Sequence, residues 1–211
     1  MENLKLYTLS LSPYNTKARL ALKLKGLAFE SIEMTGFDGR EEVVKASGQP
    51  LTPVLIDGDK AIYDSFGILR YLDANFPGPR LYSADRETQQ KIQEWEQFGK
   101  ELGGIIGMVL SQAINNEIDD LVSEKAQALL DTVPQVLEDA LSGSPYLMGD
   151  EISAADLTLV PFLRFTVWKA ETVEHPLAKF VTERLQLHAK FPKTRAWIER
   201  VMELDREPVA H

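Results

Sequence analysis

The segment TPVLIDGDKAIYDSFGILRYLDANFP, residues 52–77, contains the clearest fold signal in this chain of 211 residues. Two short runs of strand-forming residues flank Gly58-Asp59, a dipeptide that favours the two-residue turn of a β-hairpin. An apolar-periodic helix begins at Ser65 and continues almost to the end of the segment. Pro53 opens the first strand, where a missing N–H does not interrupt the hydrogen-bond ladder. The segment is therefore predicted to fold as β-β-α.

Upstream of this segment the chain alternates strand and helix signals. LKLYTLS (residues 4–10) alternates apolar and polar residues, as strands do. TKARLALKLKG (16–26) has a broad apolar helical face and ends in a glycine that suits a helix C-terminus. AFESIEM (28–34) predicts a second strand, and GREEVVKAS (39–47) one or two helical turns. Residues 1–78 are therefore predicted to form an α/β domain with a mixed sheet and the order β-α-β-α-β-β-α.

Downstream of the linker PGPRLY (residues 77–82) the pattern changes to long helices. A second, all-helical domain is predicted over residues 84–211, with helices at 84–112, 119–133, 153–168, 176–188 and 191–205. Glycine is unfavourable inside a helix, so three glycines in the first of these helices predict a kink, a close helix approach or the floor of a pocket. They are Gly103, Gly104 and Gly107. Pro134 marks a possible kink after the second helix.

Composition excludes several classes of function. The chain has no cysteine, which excludes disulfides, cysteine-ligated zinc and a cysteine nucleophile. Its three histidines are widely spaced, without a metal-ligand pattern. The net charge of −9, with no basic block, argues against nucleic acid as a partner. No apolar run is long enough to cross a membrane and the first residues do not resemble a signal peptide, so we expect no membrane partner. The lack of cysteine suits a reducing compartment.

The corner Ser12-Pro13, between the first strand and the first helix, has two interpretations. Ser12 can cap the helix, with proline at the first helical position. Alternatively, its hydroxyl faces a ligand at the helix N-terminus, where free N–H groups and the helix dipole favour an anion. Three neighbours compete for the same space: Ser10, Tyr14 and Asn15.

Other polar residues are assigned structural roles. Ser153 and Asp156 match a capping box before an apolar run, a pattern that stabilises a helix N-terminus. Apolar residues stand at the two positions of a hydrophobic staple, Ile152 and Leu157. Lys17 and Arg19, in the first helix, are expected to be solvated or paired with acids.

The ordered set of Ser12-Pro13, Thr52-Pro53, Asp64-Ser65 and the later capping box resembles the soluble, cytosolic glutathione S-transferases. The resemblance covers nearly the whole chain. It implies a thioredoxin-like N-terminal domain (βαβαββα) followed by an all-helical C-terminal domain. It also implies that glutathione is the co-substrate, that no metal takes part, and that two copies form a homodimer.

By this resemblance Ser12 matches the catalytic serine of the tau and phi classes, and the cysteine of the omega class. A hydroxyl there donates to the glutathione sulfur and favours the thiolate, which is the nucleophilic form. Tyr14 and Asn15 stay open as alternative thiol contacts. Tyr7 is similar to the catalytic tyrosine of some mammalian classes, but it lies too early relative to ARLAL, residues 18–22.

The same resemblance implies the remaining glutathione contacts. Thr52 would pair through its backbone with the cysteinyl moiety, presented by a cis peptide bond to Pro53. Asp64 would face the γ-glutamyl ammonium, and Ser65 with its helix N-terminus would face the γ-glutamyl carboxylate.

Arg40, with Lys45 as a second candidate, would meet the glycine carboxylate of glutathione. Arg40 stands in DGREE (residues 38–42), so the structural alternative is a local ion pair of small energy. The lysine that the family carries before its proline turn is missing from KASGQPLTPVL (45–55), which leaves this end of the site less well matched.

The second substrate is expected between the two domains, against Tyr14, Phe98, Met108 and Trp168, although such residues at helical spacing are also common in cores. The implied activity is conjugation of the glutathione thiolate to small electrophiles, or reduction of peroxides. One alternative is a non-catalytic binding or regulatory protein on the same fold. Another is a glutathione-dependent isomerase of the zeta type, whose Ser-Ser-Cys signature this chain lacks.

Overall fold

The computed structural model describes residues 4–34, 40–115 and 119–206. The chain divides into two compact units. The first comprises Met1–Ser83 together with Leu204–His211, and the second comprises Ala84–Glu203. The described residues 204–206 therefore belong to the first unit, although they follow the last helix of the second.

The first unit has the predicted order β-α-β-α-β-β-α. Its strands are β1 (Leu4–Thr8), β2 (Phe29–Glu33), β3 (Val54–Asp57) and β4 (Lys60–Tyr63). Its helices are α1 (Pro13–Leu24), α2 (Arg40–Ser47) and α3 (Ser65–Asn75). The sheet has the strand order β2-β1-β3-β4, with β2 parallel to β1 and the other neighbours antiparallel. The predicted hairpin turn is confirmed, with Gly58 at a φ of 57°.

The pairing register brings four chain segments to one edge of this sheet. Thr8 pairs with Glu33, so β1 and β2 end side by side. Val54 pairs with both Tyr7 and Tyr63, so β3 begins where β1 and β4 end. We call this edge the site edge: it comprises the described residues that follow β1 and β4, Met34 after β2, and the residues that precede β3. Three of the four sequence motifs therefore meet there, although they lie far apart in the chain.

The second unit is all helical, which confirms the predicted fold class. Its helices are α4 (Arg86–Asn115), α5 (Asp120–Ala140), α6 (Ala154–Leu163), α7 (Pro176–Arg184) and α8 (Pro192–Met202). Three short 3₁₀ turns continue or follow these helices, at Arg164–Val167, Ala170–Thr172 and Glu203–Asp205. α5 continues through Pro134 instead of ending before it. α7 ends earlier than predicted, because Leu185 adopts an extended backbone.

The glycines of α4 have different surroundings, which locates the predicted close approach between helices. The helix is continuous from Arg86 to Asn115. At Gly104 and Gly107, no atom beyond the adjacent residues and the nearby backbone of the same helix lies within 4 Å of the place that a Cβ would take. A Cβ on Gly99 would instead lie 2.5 Å from Cγ2 of Thr158 in α6. A close helix approach therefore occurs at Gly99, which the sequence pattern did not single out. Gly103 is buried in α4, and its role stays a prediction.

The capping box before α6 is confirmed, and its carboxylate binds more donors than the motif requires. Oδ2 of Asp156 accepts the backbone N–H of Ser153 at 2.9 Å and its hydroxyl at 2.8 Å. Oδ1 accepts Nε1–H of Trp197 at 2.8 Å and the N–H of Leu147 at 3.0 Å. Asp156 and Trp197 are both fully buried. One carboxylate therefore joins α8, the loop before α6 and the start of α6.

Candidate functional site

A cavity of about 120 Å³ opens at the site edge. Three residues predicted from the sequence, Ser12, Arg40 and Thr52, line it together. The other residues of its wall are Leu9, Asn15, Met34, Pro50 and Leu51. The wall thus combines the end of β1, the start of α1, the start of α2 and the loop before β3.

Ser12 occupies the N-cap position of α1, but its side chain does not cap the helix. Its carbonyl oxygen accepts the N–H of Thr16 at 2.9 Å and the hydroxyl of Thr16 at 3.1 Å. Its own N–H donates to the carbonyl of Leu9 at 3.1 Å. The backbone of Ser12 is therefore held at three points, while the hydroxyl is not used by the helix.

Asn15 is the one alternative thiol contact that shares the cavity with Ser12. It is only 1% exposed, and its Oδ1 has no hydrogen-bond partner among the residues that the structure describes. Tyr14 is 41% exposed and Ser10 is exposed, and neither lines the cavity. Tyr7 packs against the apolar cluster of Met34, Val43 and Val54. The geometry therefore pairs a hydroxyl with a carboxamide at the start of α1.

The Thr52-Pro53 peptide bond is cis, as the resemblance implied. Thr52 is half-buried at the cavity wall, and Pro53 is buried directly before β3. Sequence reasoning missed Gln49, whose side-chain amide holds this loop. Its Nε2 donates to the carbonyl of Leu51 at 2.7 Å, and its Oε1 accepts the N–H of Leu51 at 2.8 Å. These two hydrogen bonds close a ring between the Gln49 side chain and the Leu51 backbone. A glutamine two residues before an exposed apolar residue is not a recognisable sequence signal for this ring.

Asp64 and Ser65 stand at the site edge, where β4 passes into α3. Asp64, not Ser65, is the N-cap of α3, and its Oδ1 accepts the N–H of Phe66 at 2.8 Å. Asp64 has a φ of 65°, a sparsely populated conformation for a non-glycine residue that is common at ligand-binding positions. Ser65 is 3% exposed, and its Oγ has no hydrogen-bond partner among the described residues. A buried polar atom without a partner needs an explanation, and a ligand is one.

Arg40 is the first residue of α2 and is half-buried at the cavity wall. Lys45, the second candidate for the same role, is exposed and does not line the cavity. Thr8, at the end of β1, adds a further buried hydroxyl without a hydrogen-bond partner in the described part of the chain.

The four residues predicted for the second substrate belong to different units. Tyr14 lies in the first unit, and Phe98, Met108 and Trp168 lie in the second. The Met108 side chain is half exposed, at 48%. Phe98 packs edge-on against Trp95 with ring centroids 5.8 Å apart, and Trp168 packs edge-on against buried Phe165 at 5.1 Å. Their joint role stays a prediction.

Lys17 and Arg19 have different surroundings, although both lie on α1. Lys17 is 1% exposed, so the expectation of a solvated side chain is wrong, and its ammonium lies 2.9 Å from the ring centroid of Phe66. Arg19 is paired with an acid, as expected. Its Nε and Nη2 donate to the two carboxylate oxygens of Asp205, at 2.7 and 2.6 Å. Lys23 donates to the same carboxylate at 3.0 Å.

The cations around Asp205 determine its titration. Burial by itself would raise the pKa of Asp205, but the hydrogen bonds and charges of Arg19 and Lys23 outweigh burial and leave its pKa below the usual value. A carboxyl group with a lowered folded-state pKa stabilises the fold above its unfolded pKa, and this contribution is lost as pH falls through the folded pKa.

We therefore expect Asp205→Asn to be less stable than wild type at pH 7, and the difference to shrink as pH falls below about 4. Urea unfolding of both proteins across this range measures the difference in midpoint. A difference that stays constant with pH would show that the charge of Asp205 does not contribute to stability.

The described residues contain neither a metal-binding cluster nor a helix that could span a membrane. In the described ranges, no cluster of three or more histidine, aspartate or glutamate side chains has a geometry that could hold a metal ion. Across residues 4–34, 40–115 and 119–206, every helix is too short or too polar to span a membrane.

Comparisons with known proteins cover both units. Two sequence models, described as the N-terminal and C-terminal domains of glutathione S-transferase, match residues 6–80 and 105–205. Glutathione S-transferase 1 of Dianthus caryophyllus is 30% identical over 194 residues, which cover 86% of this chain and 86% of that relative. Glutathione S-transferase Z1 of Arabidopsis thaliana is 32% identical over 171 residues, or 76% of each chain. The crystal structure of a glutathione S-transferase from Rhodospirillum rubrum shares the fold, with a TM-score of 0.77 at 19% identity, over 98% of this chain and 94% of that one.

Proposed function

The chain belongs to the glutathione S-transferase family, and we propose that Ser12 is the residue that activates its glutathione thiol. As a member of this family it is a glutathione transferase, an enzyme whose co-substrate is glutathione. The observation that carries the assignment of Ser12 is its place in the site-edge cavity with a hydroxyl that α1 does not use.

Activation requires that the thiolate be favoured over the thiol. A hydroxyl that donates to sulfur stabilises the charged form. The positive end of the α1 dipole lies at the N-terminus of the helix, beside Ser12, and favours the same charged form. Asn15 lines the same cavity and is buried without a partner for its Oδ1. Because the two orientations of a carboxamide differ only in the exchange of O and N, its N–H₂ can serve as a second donor beside Ser12.

The remaining contacts follow from the charges of glutathione. Its γ-glutamyl carboxylate would lie at Ser65 and the N-terminus of α3, and its γ-glutamyl ammonium would face Asp64. Thr52 would pair with the cysteinyl backbone of the peptide. Arg40 supplies a cation at the cavity wall for the glycine carboxylate. Buried Ser65 supports this proposal, because its hydroxyl lacks a partner within the described residues.

A glutathione titration of the wild-type protein tests this proposal. The absorbance of a bound thiolate near neutral pH is expected, and S-methylglutathione, which cannot ionise at sulfur, is expected to bind without that absorbance. Binding of both peptides with no thiolate signal would refute activation at this site. Failure to bind either peptide would favour a non-catalytic role on the same fold.

Ser65→Ala is expected to weaken glutathione binding by about 10- to 100-fold, the usual effect of losing a hydrogen bond to a charged group. The same change should leave the stability of the protein without glutathione unaltered or slightly higher, because the buried hydroxyl it removes has no partner in the described structure. Calorimetric titration and thermal unfolding measure the two effects. Ser142→Ala, at an exposed turn, is the matched control. Loss of stability without loss of affinity would assign Ser65 to the fold alone.

The electrophile is proposed to meet the thiolate against Tyr14, Phe98, Met108 and Trp168. Tyr14 and Met108 are 41% and 48% exposed, so both side chains are accessible to a small molecule. Glutathione-dependent isomerisation is the second candidate, because relatives from Arabidopsis thaliana and Euphorbia esula carry the zeta-class name. The two reactions differ in product mass: conjugation adds glutathione to the electrophile, whereas isomerisation leaves the substrate mass unchanged.

We further propose that the enzyme acts in the cytoplasm as a homodimer. Leu51 is 66% exposed and Tyr63 is 53% exposed, on chain segments that meet at the site edge. Leu51→Glu is therefore expected to convert the dimer to a monomer, because a charge is unfavourable at the core of an interface. Light scattering after size-exclusion chromatography measures the mass. Val136→Glu, at an exposed position of the second unit, is the control. A dimer that persists in Leu51→Glu would show that Leu51 does not lie in the interface.

A further inference from the structure

A series of hydrogen bonds connects the C-terminal stretch of the first unit with the Ser12 corner. Asp205 binds Arg19 through two hydrogen bonds, and both side chains are about 15% exposed. Nη2 of Arg19 also donates to Oγ1 of Thr16 at 3.3 Å. Oγ1 of Thr16 in turn donates to the carbonyl oxygen of Ser12 at 3.1 Å. The series runs Asp205–Arg19–Thr16–Ser12, and every member lies in the first unit.

The geometry of α1 makes this series continuous. Residues three and four apart lie on the same face of a helix, which places Thr16, Arg19 and Lys23 in one row that begins at the N-cap. Thr16 is fully buried, so its hydroxyl has a fixed environment. Arg19 is held by two parallel N–H···O bonds, the arrangement that best fixes a guanidinium. Lys23 also donates to the carboxylate of Asp205, so two cations hold one acid 186 residues away from Arg19.

We propose that Asp205 is a positioning residue for Ser12, acting through Arg19 and Thr16. The hydroxyl of Thr16 fixes the carbonyl of Ser12, and the N-cap conformation of Ser12 determines where its own hydroxyl points. Asp205 sets the position of Arg19, and Arg19 orients the hydroxyl of Thr16. This inference rests on the proposed role of Ser12. It adds to that role a residue that enters the first unit from the far end of the chain.

A structural role alone would have a different result. If Asp205 only attached the C-terminal stretch to α1, its removal would lower stability and leave the chemistry of the folded enzyme unchanged. Positioning instead predicts a change in the bound thiol itself. The decisive quantities are therefore the pKa of the bound glutathione thiol and kcat/KM for the electrophile, both measured on folded protein.

The experiment compares Asp205→Asn, Thr16→Val and the double variant with wild type. Thr16→Val leaves the Asp205 ion pair in place and removes only the hydroxyl that reaches Ser12. Each single variant is expected to raise the pKa of the bound thiol and to lower kcat/KM by about 2- to 30-fold, the usual range for changes along a coupled network. The double variant should lose no more than the stronger single one, because both interrupt the same series. The affinity for S-methylglutathione should stay within about twofold of wild type.

Three further variants keep the outcomes separate. Thr16→Ser retains the hydroxyl and is expected to behave as wild type, which excludes a packing effect at Thr16. Glu87→Gln removes an exposed ion pair with Lys91 on α4 and serves as the charge control. Additive losses in the double variant, or an unchanged thiol pKa in Asp205→Asn and Thr16→Val, would overturn the inference. An unchanged thiol pKa in Ser12→Ala would overturn the proposed function, and the inference with it.

Discussion

Replacement of Ser12 by alanine is expected to lower kcat by about 100-fold, the scale measured when an enzyme loses one hydrogen-bond donor to a developing or bound anion. The hydroxyl of Ser12 makes no capping bond to α1, so its removal should change the thiol environment and leave the helix intact. The pKa of the bound glutathione thiol should rise toward that of a free thiol, about 8.5. Thiolate absorbance against pH, together with turnover of an aryl halide electrophile, measures both effects.

The controls for this prediction distinguish Ser12 from its neighbour. Ser12→Thr keeps a hydroxyl and is expected to retain most of the thiolate signal. Asn15→Ala should have a smaller effect than Ser12→Ala if the carboxamide is the second donor. Full activity in Ser12→Ala with loss of the thiolate in Asn15→Ala would transfer the activating role to Asn15.

The largest effect on stability is expected at Asp156. Asp156→Ala leaves the indole N–H of Trp197 and the backbone N–H groups of Leu147 and Ser153 without their acceptor in the core. Each buried donor left without an acceptor costs about 1–3 kcal/mol, so the three together make the expected loss a large part of the stability of a typical domain. Urea unfolding measures the loss. Asp131→Ala, at an exposed position on α5, is the control and should stay within about 0.5 kcal/mol of wild type.

A second variant, with a smaller expected loss, keeps the prediction testable where the yield of folded Asp156→Ala is low. Trp197→Phe removes one of the four hydrogen bonds and keeps an aromatic ring, so a smaller loss of stability is expected. If Trp197→Phe and Asp131→Ala were equally stable, the hydrogen bond of Trp197 to Asp156 would make no net contribution. The thiol pKa of bound glutathione should be unchanged in Trp197→Phe and in Asp131→Ala, because Trp197 and Asp131 both lie in the second unit.

Features that depend on neighbours in the sequence were predicted correctly. The hairpin turn at Gly58-Asp59 and the capping box before α6 are local, so residue type alone decides them. α3 begins at Ser65, as predicted, so its cap position lies one residue earlier. Asp64 takes that position with a positive φ, which aspartate tolerates better than most residues, and this leaves Ser65 inside the helix.

Features that depend on distant partners were not predictable from local patterns. Thr158 lies so close to Gly99 that a Cβ there would collide with its methyl group. Gly104 and Gly107 in the same helix have no such neighbour, so the sequence alone could not identify Gly99. Asn15 became distinct from Tyr14 only when the pairing of strands placed Met34 and Thr52 beside it at the site-edge cavity. The partner of Arg19 lies at Asp205, and no pattern in either segment indicates the other.

The pairing of Arg19 and Lys23 with Asp205 also has a consequence for the order of events during protein synthesis. A ribosome that adds about 5–20 residues each second makes α1 first, yet the acid that binds α1 follows some 186 residues later. All four strands can pair and the whole second unit can be synthesised before Asp205 is available to bind Arg19 and Lys23. The first unit to be translated is thus the last to be completed, and a nascent chain stalled before Asp205 would carry an immature N-terminal fold.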